Sequence, residues 1–394
     1  MPIDRRRFMQ LGAASLLGSQ TGGIAAPVQG RHRARDLGIT IGRMQPGPLN
    51  AITDVAGVEV GHATIIQGDG ALEIGQGPVR TGVTAIWPHR GIVEEFLPCG
   101  VDAPNGNGEL SGMLAARHRG ILNSPICLTN TSSVGLVYDA LQSLQPDDDL
   151  PPGTPVVGET WDASLNDTLG RHVHERHVRE ALHTARGGPV QEGAVGGGTG
   201  VICYDYKGGI GTASRKIESG GTAYTVGALV QANHGDRELL RIDGVPVGAA
   251  LSAGSAPEVA PELNSIIMII ATDAPFLSHQ LHRLSRRATH GLARTGSISG
   301  NASGDFTLAF STANRIQRAS FYKGASYRLQ STEQFGIQPF LEAVGEAVEE
   351  AIINALFMAQ DMTGIDDNFV PAIPIDMTLD IMKRFGRLAG AAHE

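Results

Sequence analysis

The most constraining feature of the chain is the junction at residues 264–265. Residues 247–263, Val-Gly-Ala-Ala-Leu-Ser-Ala-Gly-Ser-Ala-Pro-Glu-Val-Ala-Pro-Glu-Leu, are small and rich in Pro and Gly, and predict an exposed, flexible segment. They run through Asn264-Ser265 directly into Ile266-Ile267-Met268-Ile269-Ile270-Ala271. A run this apolar has to be a buried strand, so the chain must build a core around it. The material for one is present, since 41% of the 394 residues are hydrophobic. Length alone allows two to three domains, or one large one. The 52 glycines are close to twice the usual ~7%, whereas charged residues, at 18%, are scarce.

Other short apolar runs, bounded by Gly, Pro, Asn and Asp, predict strands at 52–60, 82–87, 124–128, 200–204 and 224–230. Helices are expected at 111–119, 164–183, 278–294 and 338–362, the last with apolar residues every fourth position from Phe340 to Leu356. The fold class is therefore α+β or α/β. A net charge of −9 without a basic block argues against nucleic-acid binding. Cys99, Cys127 and Cys203 form no C-x-x-C spacing, which argues against a disulfide framework or a cysteine zinc site. No stretch reaches the ~20 apolar residues that span a bilayer.

The N-terminus reads as an address rather than as fold. Arg5-Arg6-Arg7-Phe8-Met9 precedes a mild apolar run and then Gly23-Ile24-Ala25-Ala26-Pro27, the pattern of a twin-arginine export signal over residues 1–25. Asp4 and Gln10 depart from its commonest form. The expected location is periplasmic.

Several familiar chemistries are missing. There is no G-x-S-x-G elbow, no HExxH and no phosphate-binding GxxxxGK[ST]. Gly196-Gly197-Gly198-Thr199-Gly200 precedes a predicted strand instead of leaving one, so it fails as a dinucleotide fingerprint. The histidines at 172, 174 and 177 lie among Arg176 and Arg179, and read as a solvated helix face rather than a metal site. Nothing points to a cofactor or a metal.

The Asn264-Ser265 junction offers another route. If the bond before Ser265 breaks, Ser265 carries both a nucleophilic hydroxyl and a free α-amine, whose pKa of ~7.7–8.0 lets it act as the base. On composition alone, an ordinary turn before a strand explains the same residues.

A resemblance supplies what composition does not. Residues 35–39 (Arg-Asp-Leu-Gly-Ile), 48–58 (Pro-Leu-Asn-Ala-Ile-Thr-Asp-Val-Ala-Gly-Val) and 60–62 (Val-Gly-His) resemble the opening of the L-aminopeptidase/D-Ala-esterase/amidase family, which includes the β-peptidyl aminopeptidases. Gly106-Asn107-Gly108-Glu109-Leu110, residues 156–160, 192–200 and 230–233, and Gly300-Asn301-Ala302-Ser303-Gly304-Asp305 resemble further blocks of that family, in the family's order. The likeness runs from about residue 33 to the end.

What the resemblance implies is specific. The fold would be a four-layer αββα sandwich of the N-terminal-nucleophile-hydrolase kind. The chain would cut itself between Asn264 and Ser265, and the fragments 26–264 and 265–394 would form one domain. Ser265 falls on the nucleophile, and Ser303 and Asp305 on the pair that holds its new α-amine. Asn233 falls on the oxyanion donor, and Glu159 on the carboxylate that binds the substrate's free amine. Trp161 stands where a Tyr is expected, which suggests a reshaped pocket wall. Substrates would be small peptides, amino-acid amides or esters, and the assembly a tetramer of cleaved protomers. From the residues alone, Glu159 also fits a surface acid, and Asn233, Ser303 and Asp305 fit turns. An acyltransferase on the same architecture and a non-catalytic periplasmic binding protein are the alternatives.

Overall fold

The computed structural model describes residues 30–146, 148–252 and 264–388. The expected export signal over residues 1–25 lies outside them, as do residues 253–263. The first sheet contains β1 (Glu59–Gln67) and β2 (Val79–Trp87). β3 (Glu95–Gly106) belongs to the second sheet, and β4 (Ile126–Asn130) and β5 (Val156–Thr160) complete the first. The second sheet continues with β6 (Gly209–Ser219), β7 (Thr222–Asn233), β8 (Ser265–Thr272) and β9 (Gly304–Ser311). The first runs β1-β2-β4-β5, and the second β3-β9-β8-β7-β6, with the short pair Ile316–Gln317 at its β3 edge.

Strand alternation builds the layers. Ile266, Met268 and Ile270 of β8 face α5 (Ser278–Arg294) and a long helix, α6 (Gln338–Met358). Ile267, Ile269 and Ala271 face the other way, into a core shared with Val83, Ala85 and Leu128 of the first sheet. The outer face of the first sheet is covered by α2 (Val134–Gln142) and α3 (Glu175–Thr184). The order is helix, sheet, sheet, helix: an αββα sandwich. This is why β8 has no alternation in sequence, since every one of its residues is buried. The described residues from His32 on pack as one unit, where length alone allowed several domains.

Some local expectations need correction. Ile52–Asp54 is a 3₁₀ turn, and the strand starts only at Glu59. The predicted strand at 200–204 shrinks to Ile202–Cys203, because Tyr204 and Asp205 adopt positive φ. The helix expected from 164 begins at Glu175, with irregular chain before it tied down by contacts such as Asp167 N–H to Pro78 O. There His177 is buried and its Nδ1 accepts from His174 N–H at 3.0 Å, so it closes the helix start rather than facing solvent. The segment 247–263 is not wholly irregular, since Val247–Ser252 forms a helix that buries Val247 and Leu251. Gly196–Gly198 is a buried 3₁₀ turn wedged between the layers, where a Cβ on Gly197 would lie 2.2 Å from Gln231 Oε1.

Candidate active site

Ser265 is the first residue of β8, flanked by β7 on one side and β9 on the other. On the antiparallel side it pairs with Asn233, and directly opposed residues project to one face. The Asn233 amide Nδ2 donates to Ser265 Oγ at 3.4 Å. Its Oδ1 accepts from Ile202 N–H at 2.8 Å. Because an N–H can pair only with the amide oxygen, Ile202 fixes which end of Asn233 faces the serine. Both side chains are buried.

On the parallel side Ser265 pairs with Gly304, and Gly304 N–H donates to the Asn264 carbonyl at 3.0 Å. Ser303 and Asp305 flank that glycine. The Ser303 hydroxyl donates to Asp305 Oδ1 at 2.6 Å, and Asp305 Oδ2 is buried. Burial raises the Asp305 pKa, opposed by the Ser303 and, more weakly, Ser299 hydroxyls. Of the turn that composition suggested at 300–305, the part up to Ser303 is present, with Ser303 N–H closing on Gly300 O, whereas Asp305 lies in β9. The turn leads straight into β9.

Glu159 comes from the first sheet. Next to it, Gly158 lets β5 press against β8: a Cβ there would lie 3.0 Å from the Ile267 side chain. A Cβ on Gly108 would meet Glu159 Oε1 at 2.8 Å and Gly304 Cα at 3.4 Å, so one small residue joins the acid to the Gly304 turn. Glu159 is buried. It accepts from Glu109 N–H at 3.0 Å and, on its other oxygen, from the Thr131 hydroxyl in a very short bond. Burial raises its pKa, opposed by those two donors, and the Glu109 charge adds to the rise. It is not the surface acid that a lone Glu usually is. Trp161, half-buried, follows at the end of β5.

The structure thus brings Asn233, Ser265, Ser303 and Asp305 together on three neighbouring strands, beside the Asn264 carbonyl and Gly304 N–H, with Glu159 reached through Gly108. His234, the residue after Asn233, offers no general base. Burial lowers its pKa to about 3, and its Nδ1 faces Cys203 Sγ at 4.0 Å.

Residues 50–370 match the model of peptidase family S58. The chain belongs to that family. Two β-peptidyl aminopeptidases are among its relatives. That of Sphingosinicella xenopeptidilytica is 46% identical over 377 residues, covering 90% of this chain and 92% of the relative. That of Sphingosinicella microcystinivorans is 44% identical over 375 residues, covering 91% and 94%. The solved L-aminopeptidase D-Ala-esterase/amidase of Ochrobactrum anthropi is 42% identical, with a TM-score of 0.83 over 91% of this chain and 99% of that one. It is described as a prototype for the serine aminopeptidases and a variant of the Ntn hydrolase fold. The expected family is therefore met, the α+β architecture is like that of these solved serine aminopeptidases, and this S58 member is a hydrolase acting on peptide bonds.

Sequence reasoning missed Thr131, Glu109 and Ile202, which act through single hydrogen bonds from other strands and loops. It also missed Asp162, a buried carboxyl whose pKa burial pushes up to about 6, against hydrogen bonds from Thr81, Asn166 and Asn130.

Proposed function

We propose that the chain is a self-processing serine aminopeptidase that hydrolyses small peptides, amino-acid amides or esters bearing a free amino group. The observation that carries this is the Asn233 amide donating to the Ser265 hydroxyl at the buried head of β8. Cleavage between Asn264 and Ser265 gives fragments 26–264 and 265–394 and frees the Ser265 α-amine. That amine takes the hydroxyl proton as Ser265 Oγ attacks the substrate carbonyl, and then passes it to the departing amine or alcohol. Asn233 Nδ2 donates to the oxyanion, a contribution worth ~10²–10³ in rate. Water, activated by the same amine, opens the acyl-enzyme, and an amine in its place gives aminolysis. Ser303 and Asp305 orient the α-amine, and the carboxylate raises its pKa.

Glu159 is the acceptor for the substrate's ammonium, and Trp161 forms a pocket wall. A buried acid waiting for a cation favours substrates with a free amine, α-L, D or β, over blocked ones. The protein is exported to the periplasm through the twin-arginine signal and assembles as a tetramer. Replacing Arg5 and Arg6 by Lys should hold the precursor in the cytoplasm, and unimpeded export would remove the signal from the account. Ser265→Ala tests the core of the reading. One uncut chain without activity is expected, and hydrolysis by that variant would overturn it.

A further inference from the structure

The scissile peptide is held on both sides by groups that the turnover mechanism does not use. On the β9 side, the Asn264 carbonyl accepts from Gly304 N–H at 3.0 Å, the first rung of the β8/β9 ladder. On the β7 side, the Asn264 side chain reaches past the end of the strand, and its Oδ1 accepts from Gly235 N–H at 3.2 Å. That donor is rigidly placed. Gly235 has φ +92°, and a Cβ there would lie 2.3 Å from the Tyr204 ring. The ring is itself tied by Tyr204 Oη to Thr295 Oγ1 at 2.8 Å, and Tyr204 N–H donates to His234 O at 2.8 Å. Ser265 follows directly at the head of β8, with its Oγ against Asn233.

We propose that the Asn264 side chain is a positioning group for self-cleavage, clamped to Gly235, and that Gly304 N–H is the donor to the oxygen of the bond being cut. The proposal rests on the self-cleavage described above. In the first step Ser265 Oγ bonds to the Asn264 carbonyl carbon, the C–N bond breaks, and the hydroxyl proton passes to the Ser265 nitrogen. Water then adds to the resulting ester, the C–Oγ bond breaks and the hydroxyl is restored. Asn264 is left with a carboxylate and Ser265 with a free amine. The attack closes a five-membered ring, so it needs the carbonyl face turned to its own neighbour's hydroxyl. Rotation about the Asn264 backbone would lose that orientation, and the Gly235 anchor opposes it. Self-cleavage and turnover then draw on different donors, Gly304 N–H on the scissile carbonyl and Asn233 Nδ2 on the serine that later meets substrate.

The test is the rate of cutting in the full-length chain made by cell-free translation, followed after a pulse by denaturing gel. Asn264→Ala and Asn264→Leu, which lack the acceptor, should cut about tenfold more slowly than wild type, the worth of one hydrogen bond. Asn264→Asp keeps an acceptor for Gly235 N–H and should stay within about threefold of wild type. Turnover per cut chain should be unchanged in all three, because Asn264 takes part in no step of it. Cutting of the alanine variant at the wild-type rate overturns the proposal. So does an aspartate variant as slow as alanine, or a matching loss of turnover per cut chain. A wild-type chain that stays whole fails earlier, at self-cleavage itself, and is told apart by that.

Discussion

Glu159→Gln isolates the charge from the shape of the proposed amine site. The glutamine oxygen still accepts from Glu109 N–H, where the carboxylate does so at 3.0 Å. The new NH2 faces Thr131 Oγ, and that hydroxyl can turn its proton away and accept. The variant should therefore fold and process normally. What it loses is the negative charge, which sits in a residue only 5% exposed. Breaking a buried pair by removing one partner costs ~3–5 kcal/mol, and each ~1.4 kcal/mol is tenfold. The expected fall in kcat/KM is therefore ~10²–10³-fold for a free-amine substrate. Steady-state kinetics on an amino-acid p-nitroanilide and its N-acetyl counterpart make the comparison, with a denaturing gel to report processing. The ratio of free to acetylated rates should collapse in the variant. Because burial raises the Glu159 pKa, the wild type should lose ammonium binding on acidification at a higher pH than an ordinary carboxylate would allow. The variant should lack that limb. Unchanged kinetics on the free-amine substrate would remove Glu159 from the site, and a chain that folds but no longer cuts would show that it serves the nucleophile instead.

Three further outcomes follow from the same geometry. Asn233→Asp keeps the acceptor for Ile202 N–H but no donor, so kcat should fall by at least ~10²-fold in single-turnover assays, and near-normal kcat would exclude an oxyanion role. Asp305→Asn removes the carboxylate that the proposed mechanism sets beside the Ser265 α-amine, so the acid limb of the kcat–pH profile should move to lower pH. An unmoved limb would separate Asp305 from the amine. Burial pushes the Asp162 pKa up to about 6, above the unfolded ~3.9, so its contribution to wild-type stability should fall as pH rises between those values. Asp162→Asn should remove that loss, raising the unfolding free energy at pH 7.5 by up to ~3 kcal/mol with no gain near pH 4. A variant less stable than wild type at pH 7.5 would refute this.

The sequence revealed most where burial left a long signal. The apolar run at 266–271 and the four-residue repeat from Phe340 to Leu356 both became central elements, β8 and α6, and the helix expected at 278–294 matches α5. β3, β6 and β9 were not legible, because Gly, Pro and polar residues interrupt them and their partners are distant in sequence. The junction at Asn264-Ser265 stood out, yet its neighbours did not. Asn233 and Gly304 meet it only through sheet register, and Glu159 only through the closeness that Gly108 and Gly158 permit. Arg215, wholly buried against Glu346 and Glu350, had no local sign at all, since a salt bridge between distant segments leaves no periodicity. The resemblance named the residues around Ser265 as a candidate site, and sheet register is what brings them near one another.

The central claim is that Ser265 becomes the N-terminal residue of the working enzyme. N-terminal sequencing of the purified, active protein, with intact mass of each fragment, measures that directly. The account predicts two sequences, one starting near Ala26 and one reading Ser265-Ile266-Ile267, the second belonging to a fragment that spans residues 265–394. An active preparation that yields one undivided chain, or one cut at another bond, would contradict it.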